Sequence, residues 1–92
     1  GVTLVTNKKK QLKGIITDGD LRRMIEDKKD ISKIRALDLS KSFPKWLEHN
    51  NLATKAVQLM EKHTITSLVV SANGKKIDGI IHLHDLLKAG II

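Results

Sequence analysis

Cysteine is absent from this chain, so neither a disulfide framework nor a thiolate metal site is available to it. That fits a reducing, cytoplasmic setting. Tyrosine is absent too, and one tryptophan and one phenylalanine make up the aromatic complement. Stacking of single-stranded bases on an aromatic platform is therefore disfavoured, and no nucleic-acid motif appears. No apolar run is long enough to span a bilayer, and no signal-peptide pattern opens the chain. The reading is of no nucleic-acid and no membrane partner. A chain of 92 residues is one small domain. At that size folding buries only about 60–65% of the unfolded surface, so the core is modest.

Acidic residues are the other shortage: 10 Asp and Glu stand against 17 Lys and Arg, a formal net charge of +7. Such a balance suits an anionic partner. The lysines, however, scatter over two turns, Lys8-Lys9-Lys10 and Lys75-Lys76, and over helix faces. Solubilising an exposed turn explains them as simply as recruiting an anion does.

What the chain has is an internal repeat. Gly14-Ile15-Ile16-Thr17-Asp18-Gly19-Asp20-Leu21 returns 65 positions later as Gly79-Ile80-Ile81-His82-Leu83-His84-Asp85-Leu86. Leu4 and Val5 fall on Val69 and Val70 at the same offset. Each copy reads as strand, basic turn, strand, then a polar corner into a helix.

Taken in order, Val2 to Thr6 is a β-branched strand, Asn7 to Gln11 a hairpin loop, and Leu12 to Ile16 the return strand. A helix runs from Asp18 to about Lys28, with Leu21, Met24 and Ile25 as its apolar stripe. Lys29 to Lys41 is a connector, either a short helical turn or an extended link. Ser42-Phe43-Pro44 is a breaker, and Lys45-Trp46-Leu47 a short strand. Asn50 or Asn51 caps a helix ending near His63. Thr66 to Ser71 and Lys76 to Ile81 are strands around the turn Ala72-Asn73-Gly74-Lys75. A last helix spans Leu83 to about Lys88, stopped by Ala89-Gly90, with Ile91-Ile92 as an apolar tail.

The second copy thus has the order β-α-β-β-α, and the first has only β-β-α. A strand and a helix would stand before Gly1 or come from a neighbouring chain. With a strand already running at Gly1 and no initiator Met, a fragment of a longer protein is expected. The expected core is Leu4, Ile15, Leu21, Leu68, Val70, Ile80 and Leu86.

The chemistry sits at the two corners. Thr17-x-x-Asp20 is a capping box, which needs no ligand. The same geometry suits a phosphate at the first-turn N–H groups, with Thr17 donating its hydroxyl and Asp20 accepting from two ribose hydroxyls. At the second corner Asp85 keeps the acceptor and His82 stands where Thr17 stood. A neutral imidazole can cap or bond a phosphate; protonated, it attracts one, and imidazoles change charge between about pH 5 and 8. His82-x-His84 lacks a third ligand at metal-binding spacing, so no metal is assigned. Arg22 or Arg23 either reaches an anionic ligand or neighbouring subunit, or lies on a solvated face. Thr64, Thr66 and Ser67 open the strand facing the expected cleft, where their backbone could frame a base or sugar. No nucleophile stands beside a base, so the chain itself is not read as an enzyme, and no catalytic residue is assigned.

The β-α-β-β-α order, the Gly-Ile-Ile lead-in and the Thr-x-x-Asp corner resemble a CBS-domain pair. More narrowly, Gly14 to Arg23 and His82 to Ile92 resemble the C-terminal pair of bacterial arabinose-5-phosphate isomerases. The resemblance implies an α/β fold of two pseudo-symmetric β-α-β-β-α units, the first lacking its initial strand and helix. The two would pack sheet to sheet, with motif boundaries at residues 1–40 and 41–92. It implies nucleotide-binding roles for Thr17, Asp20, His82 and Asp85, and homo-oligomerisation, a dimer with the helices after Asp20 and Asp85 near its interface. It also implies a sugar-isomerase domain earlier in the same chain, at the entry to Kdo and lipopolysaccharide biosynthesis. No cofactor is expected. The expected effector is an adenine nucleotide, CMP or CMP-Kdo. The competing expectations are a purely structural dimerisation module with no ligand and, from the charge alone, a basic nucleic-acid-binding domain.

Overall fold

The computed structural model describes residues 1–40 and 43–90. The chain divides into two compact units, Gly1–Pro44 and Lys45–Ile92. Each holds one copy of the repeat.

In the first unit, strands β1 (Val2–Thr6) and β2 (Leu12–Thr17) pair antiparallel. The loop between them is organised by Asn7, whose Oδ1 accepts from the amides of Lys9 and Gln11, each at 3.0 Å. Lys8, Lys9 and Lys10 ride on that turn and are exposed. Helix α1 (Asp18–Glu26) leaves β2 without an intervening loop. The connector resolves into a 3-10 turn, Ile31–Lys33, capped by the Asp30 side chain, and a one-turn helix α2 (Ala36–Leu39). Ser40, just beyond α2, accepts a 3.0 Å bond from the amide of Ile15.

Leu12, Gly14 and Ile16 alternate onto the buried face of β2, as a strand with one covered face requires. Met24 is the buried residue of α1. Leu21, expected in the core, is 39% exposed. The stripe is real but rotated: Leu21 lies about 60° to one side of Met24 and Ile25 about 100° to the other. Leu4 and Ile15, paired across the strands, are half-buried.

The second unit has the expected β-α-β-β-α order: β3 (Trp46–Leu47), α3 (Ala53–His63), β4 (Ser67–Val70), β5 (Gly79–His82) and α4 (Leu83–Lys88). The sheet order is β3-β4-β5, parallel then antiparallel. A parallel neighbour needs a crossover, and α3 supplies it. Its apolar face enters the core of Leu47, Ala56, Met60, Leu68 and Leu86. Leu68 and Leu86 are buried as expected, whereas Val70 and Ile80 are half-buried.

The start of α3 departs from expectation. Its N-cap is Leu52, with no side-chain bond, not Asn50 or Asn51. Asn51 turns back instead and donates from Nδ2 to the carbonyl of Glu48 at 3.1 Å. The helix ends on Thr64 in the left-handed region, φ 54°, with Ile65 donating to the carbonyl of Met60 at 3.0 Å.

The hairpin turn after β4 falls where Asn73-Gly74 placed it. Ser71 Oγ accepts from Gly74 at 2.9 Å, and Asn73 Oδ1 accepts from Lys75 and Lys76 at 2.8 and 3.0 Å. Those two lysine amides are thereby committed to Asn73, and β5 starts at Gly79 and not at Lys76. Gly74 has φ +77°, and a Cβ there would stand 2.7 Å from Cε2 of Trp46, so the turn tolerates only glycine. Helix α4 closes at Ala89, with Gly90 at φ +74°. The Ile91-Ile92 tail, Lys41 of the connector and Ser42 of the breaker lie outside the described residues.

The repeat extends to the strand register. Val2–Thr17, Thr3–Ile16, Leu4–Ile15 and Val5–Gly14 face each other in the first unit. Ser67–His82, Leu68–Ile81, Val69–Ile80 and Val70–Gly79 do so in the second, every pair at the same sequence offset.

Candidate functional site

Both corners are formed where the second strand of a hairpin runs straight into a helix. At the first, Thr17 is the N-cap of α1, in extended conformation, and the capping box is closed. Thr17 Oγ1 accepts from the amide of Asp20 at 3.3 Å. In return Asp20 Oδ2 accepts from the Thr17 amide at 2.8 Å and from its hydroxyl at 3.1 Å. The other carboxylate oxygen, Oδ1, holds the guanidinium of Arg23, one turn on. The Asp20 side chain is 10% exposed and that of Arg23 49%. Burial by itself pushes the Asp20 carboxyl up. The bonds from the Thr17 amide and hydroxyl and from Arg23 outweigh it and leave the group below the usual carboxylate range.

The second corner is built differently. His82 occupies the N-cap of α4, but its side chain makes no capping bond. The imidazole turns across the sheet, with Nδ1 2.9 Å from Ser67 Oγ. Of the roles open to the His82 imidazole, capping is thus not taken up, and the reason is the register: Ser67 is its cross-strand partner. The first amide of α4, that of Leu83, donates instead to the carbonyl of Thr66 at 2.8 Å. Asp85 and His84 are exposed. A hydroxyl on an imidazole is also the beginning of a nucleophile and base. Here Ser67 is only 8% exposed, and among the described residues no carboxylate hydrogen-bonds the ring. The pair is a cross-strand bridge.

Of the four expected site residues, Thr17 and Asp20 are joined directly, while no hydrogen bond joins His82 to Asp85. Arg23, which the sequence left open beside Arg22, joins the first corner. Its signal was the Asp-x-x-Arg spacing, which puts two side chains on one helix face. Sequence reasoning missed the Ser67–His82 bridge: a turn centred on Asn73-Gly74 would set Ser67 opposite Ile80, and the observed register, centred one residue later, sets it opposite His82. Among the described residues no group of three His, Asp or Glu side chains is placed to hold a metal ion. Nor is any helix among them long and apolar enough to cross a membrane.

Comparison with known proteins agrees with this architecture. Over 92 residues the chain is 37% identical to arabinose 5-phosphate isomerase KdsD of Yersinia pestis, covering all of this chain and 28% of that protein. It is 43% identical over 88 residues to arabinose 5-phosphate isomerase KdsD of Francisella tularensis, covering 96% of this chain and 27% of that protein. The chain therefore spans little more than a quarter of these relatives. Among solved structures, the CBS domain protein PAE2072 from Pyrobaculum aerophilum complexed with AMP superposes with a TM-score of 0.82 at 20% identity, over 100% of this chain and 76% of that one. That likeness is one of fold. CBSX2 in complex with AMP superposes with a TM-score of 0.77 at 25% identity, over 98% of this chain and 70% of that one. The CBS domain profile itself matches residues 38–91, more than half of the sequence. With its strand order and both corners in place, the chain belongs to the CBS domain family.

Proposed function

We propose that this chain is the regulatory and oligomerising CBS pair of an arabinose 5-phosphate isomerase, and that it binds a nucleotide or nucleotide-sugar effector. The motifs span residues 1–40 and 41–92. The binding residues are Thr17 and Asp20 at one corner and His82 and Asp85 at the other. The isomerase reaction belongs to a separate domain of the parent protein, working in the cytoplasm towards Kdo and lipopolysaccharide. A phosphorylated end product such as CMP-Kdo acts as a feedback inhibitor, with an adenine nucleotide as the other effector class. The pair assembles as a dimer.

Similarity along the full chain to two KdsD isomerases supports the parent enzyme. A structural neighbour that holds AMP supports the ligand class. The observation that carries the reading is Asp20. It is a nearly buried carboxylate at the start of a nine-residue helix, flanked by a hydroxyl and a guanidinium. A diol acceptor and a phosphate site are thus within one turn of each other.

The alternative, a structural dimerisation module without ligand, is favoured by one observation: the first box already satisfies its own groups. Calorimetric titration with AMP, ATP, CMP and CMP-Kdo at pH 6 and pH 7 separates the two. Saturable heat with one of them, lost in Asp20→Ala or Asp85→Ala variants that keep their circular dichroism, is expected. Absence of heat with all four moves the assignment to the structural module.

A further inference from the structure

We propose that Arg23 makes the first corner selective for phosphate esters over the corresponding neutral nucleosides, by exchanging its Asp20 partner for the ligand's phosphate. The inference rests on the nucleotide-binding reading above and names the chemistry that the corner admits.

Asp20 has little left to offer a ligand. Oδ2 already accepts from both the amide and the hydroxyl of Thr17, and Oδ1 holds Arg23. A vicinal diol brings two hydroxyl donors and must take them to Oδ1, where the guanidinium sits. Binding therefore displaces a charge-assisted hydrogen bond. A neutral nucleoside gives the freed guanidinium nothing in exchange. A phosphate monoester gives it a doubly ionisable group of matching geometry, and a diester gives it a singly ionised one.

The guanidinium is also in the right place to receive it. It folds back over Gly19, where a Cβ would stand 3.4 Å from Arg23 Nη1 and 3.6 Å from Thr17 Oγ1. It therefore waits beside the first-turn amides of α1, the position a helix start reserves for an anion. A cation there opposes the helix dipole, and among the described residues Asp20 is the carboxylate that holds it. An anion arriving between the amides and the guanidinium satisfies both. The exposures fit the exchange: Arg23, at 49%, is free to swing, and Asp20, at 10%, is not. At the second corner the equivalent residue is Lys88, which lacks the planar fork, so the selectivity belongs to the first.

The test compares AMP, adenosine and ribose 5-phosphate on the 92-residue chain and its Arg23→Gln and Arg23→Lys variants. The native chain is expected to bind AMP about ten- to a hundredfold tighter than adenosine, the worth of one charged hydrogen bond or more. In Arg23→Gln the affinity for AMP falls by that factor while adenosine holds or tightens, so the preference collapses. Arg23→Lys recovers part of it. Ribose 5-phosphate binding with the same Arg23 dependence supports the proposal with a free sugar phosphate as ligand; binding of AMP alone supports it with a nucleotide. An unchanged preference in Arg23→Gln, or equal loss of both ligands, overturns the role of Arg23 and leaves the nucleotide reading standing. No binding of either phosphate ester to the native chain removes both.

Discussion

The two copies of the repeat share their register and differ in what their side chains do with it. Thr17 and His82 hold the same position at the end of the hairpin's second strand, each facing the first residue of its partner strand. In the first unit that residue is Val2, which offers no polar atom. Thr17 therefore bonds along the chain, down to Asp20. In the second it is Ser67, and His82 bonds across the sheet instead. One cross-strand neighbour thus decides whether the corner is a closed capping box or an uncapped helix start. A third difference follows on the helix, where Arg23 locks the first carboxylate and Lys88 leaves Asp85 exposed. A strand pair with fixed register is thus a scaffold whose corner chemistry is rewritten by one residue on the neighbouring strand.

The largest divergence lies in the cover over the strands. Thr3 and Leu68 are register equivalents, yet Thr3 is exposed and Leu68 is fully buried. Leu68 packs with Ala56 and Met60 of α3, and among the described residues of the first unit no element precedes β1 in α3's place. Leu68→Ala is expected to cost about 2–5 kcal/mol, the transfer term plus a cavity. Thr3→Ala is expected to stay within about 1 kcal/mol, the span of strand propensity. Urea denaturation of the two variants reads the difference, and similar midpoints would mean that the strands are equally covered.

A smaller effect separates the two glycines of the shared Gly-Ile-Ile motif. A Cβ on Gly14 would stand 2.5 Å from Ser40 Oγ and 2.8 Å from Ser40 Cβ. A Cβ on Gly79 would meet only Val70 Cβ, at an ordinary 3.9 Å. Gly14 is needed because Ser40 closes onto β2 to accept from Ile15, a contact without counterpart among the described residues of the second unit. Gly14→Ala should cost about 1–3 kcal/mol by overpacking and by straining that bond. Gly79→Ala should be neutral or gain up to about 1 kcal/mol through the unfolded chain. Thermal melts of both variants test the pair, and a large loss in Gly79→Ala would break the distinction.

Much of this was legible beforehand. Apolar periodicity, the Asn73-Gly74 turn and the repeat offset yielded the element order and the α4 boundaries. The Thr-x-x-Asp spacing yielded the box at Thr17. What stayed hidden turns on choices that apolar periodicity does not make. A stripe of Leu21, Met24 and Ile25 does not say which of its edges faces the sheet, and Met24 took the buried place. Asn51 competes for the Glu48 carbonyl, which moved the start of α3. The connector has no apolar period to decide it, because its short helical turns are fixed by Asp30, Arg35 and Asp38 side chains, each an i to i+2 or i+3 contact. The His82 bridge required the hairpin register before Ser67 could be seen opposite it.

The smallest expected effect is one of pH, and it belongs to the first corner. The Asp20 carboxyl lies below the usual range in the folded chain, where burial is outweighed by the bonds from Thr17 and Arg23. In the unfolded chain it returns to about 3.9. A group held lower in the folded state binds its proton less readily there. It therefore contributes stability that is present above the unfolded value and is lost as pH falls through the folded one. Asp30 and Asp38 are lowered too, Asp30 by Ser32 and Asp38 by Arg35. They are common to the native chain and an Asp20→Asn variant, so they cancel in the comparison. Urea midpoints at pH 7, 4 and 3 should show the native chain losing its advantage over Asp20→Asn below about pH 4. At neutral pH the native chain should be the more stable, by about 1 kcal/mol for the cap. Parallel pH profiles for the two would mean that the box at Thr17 is not held by charge, and the contrast with the second corner would then rest on geometry alone.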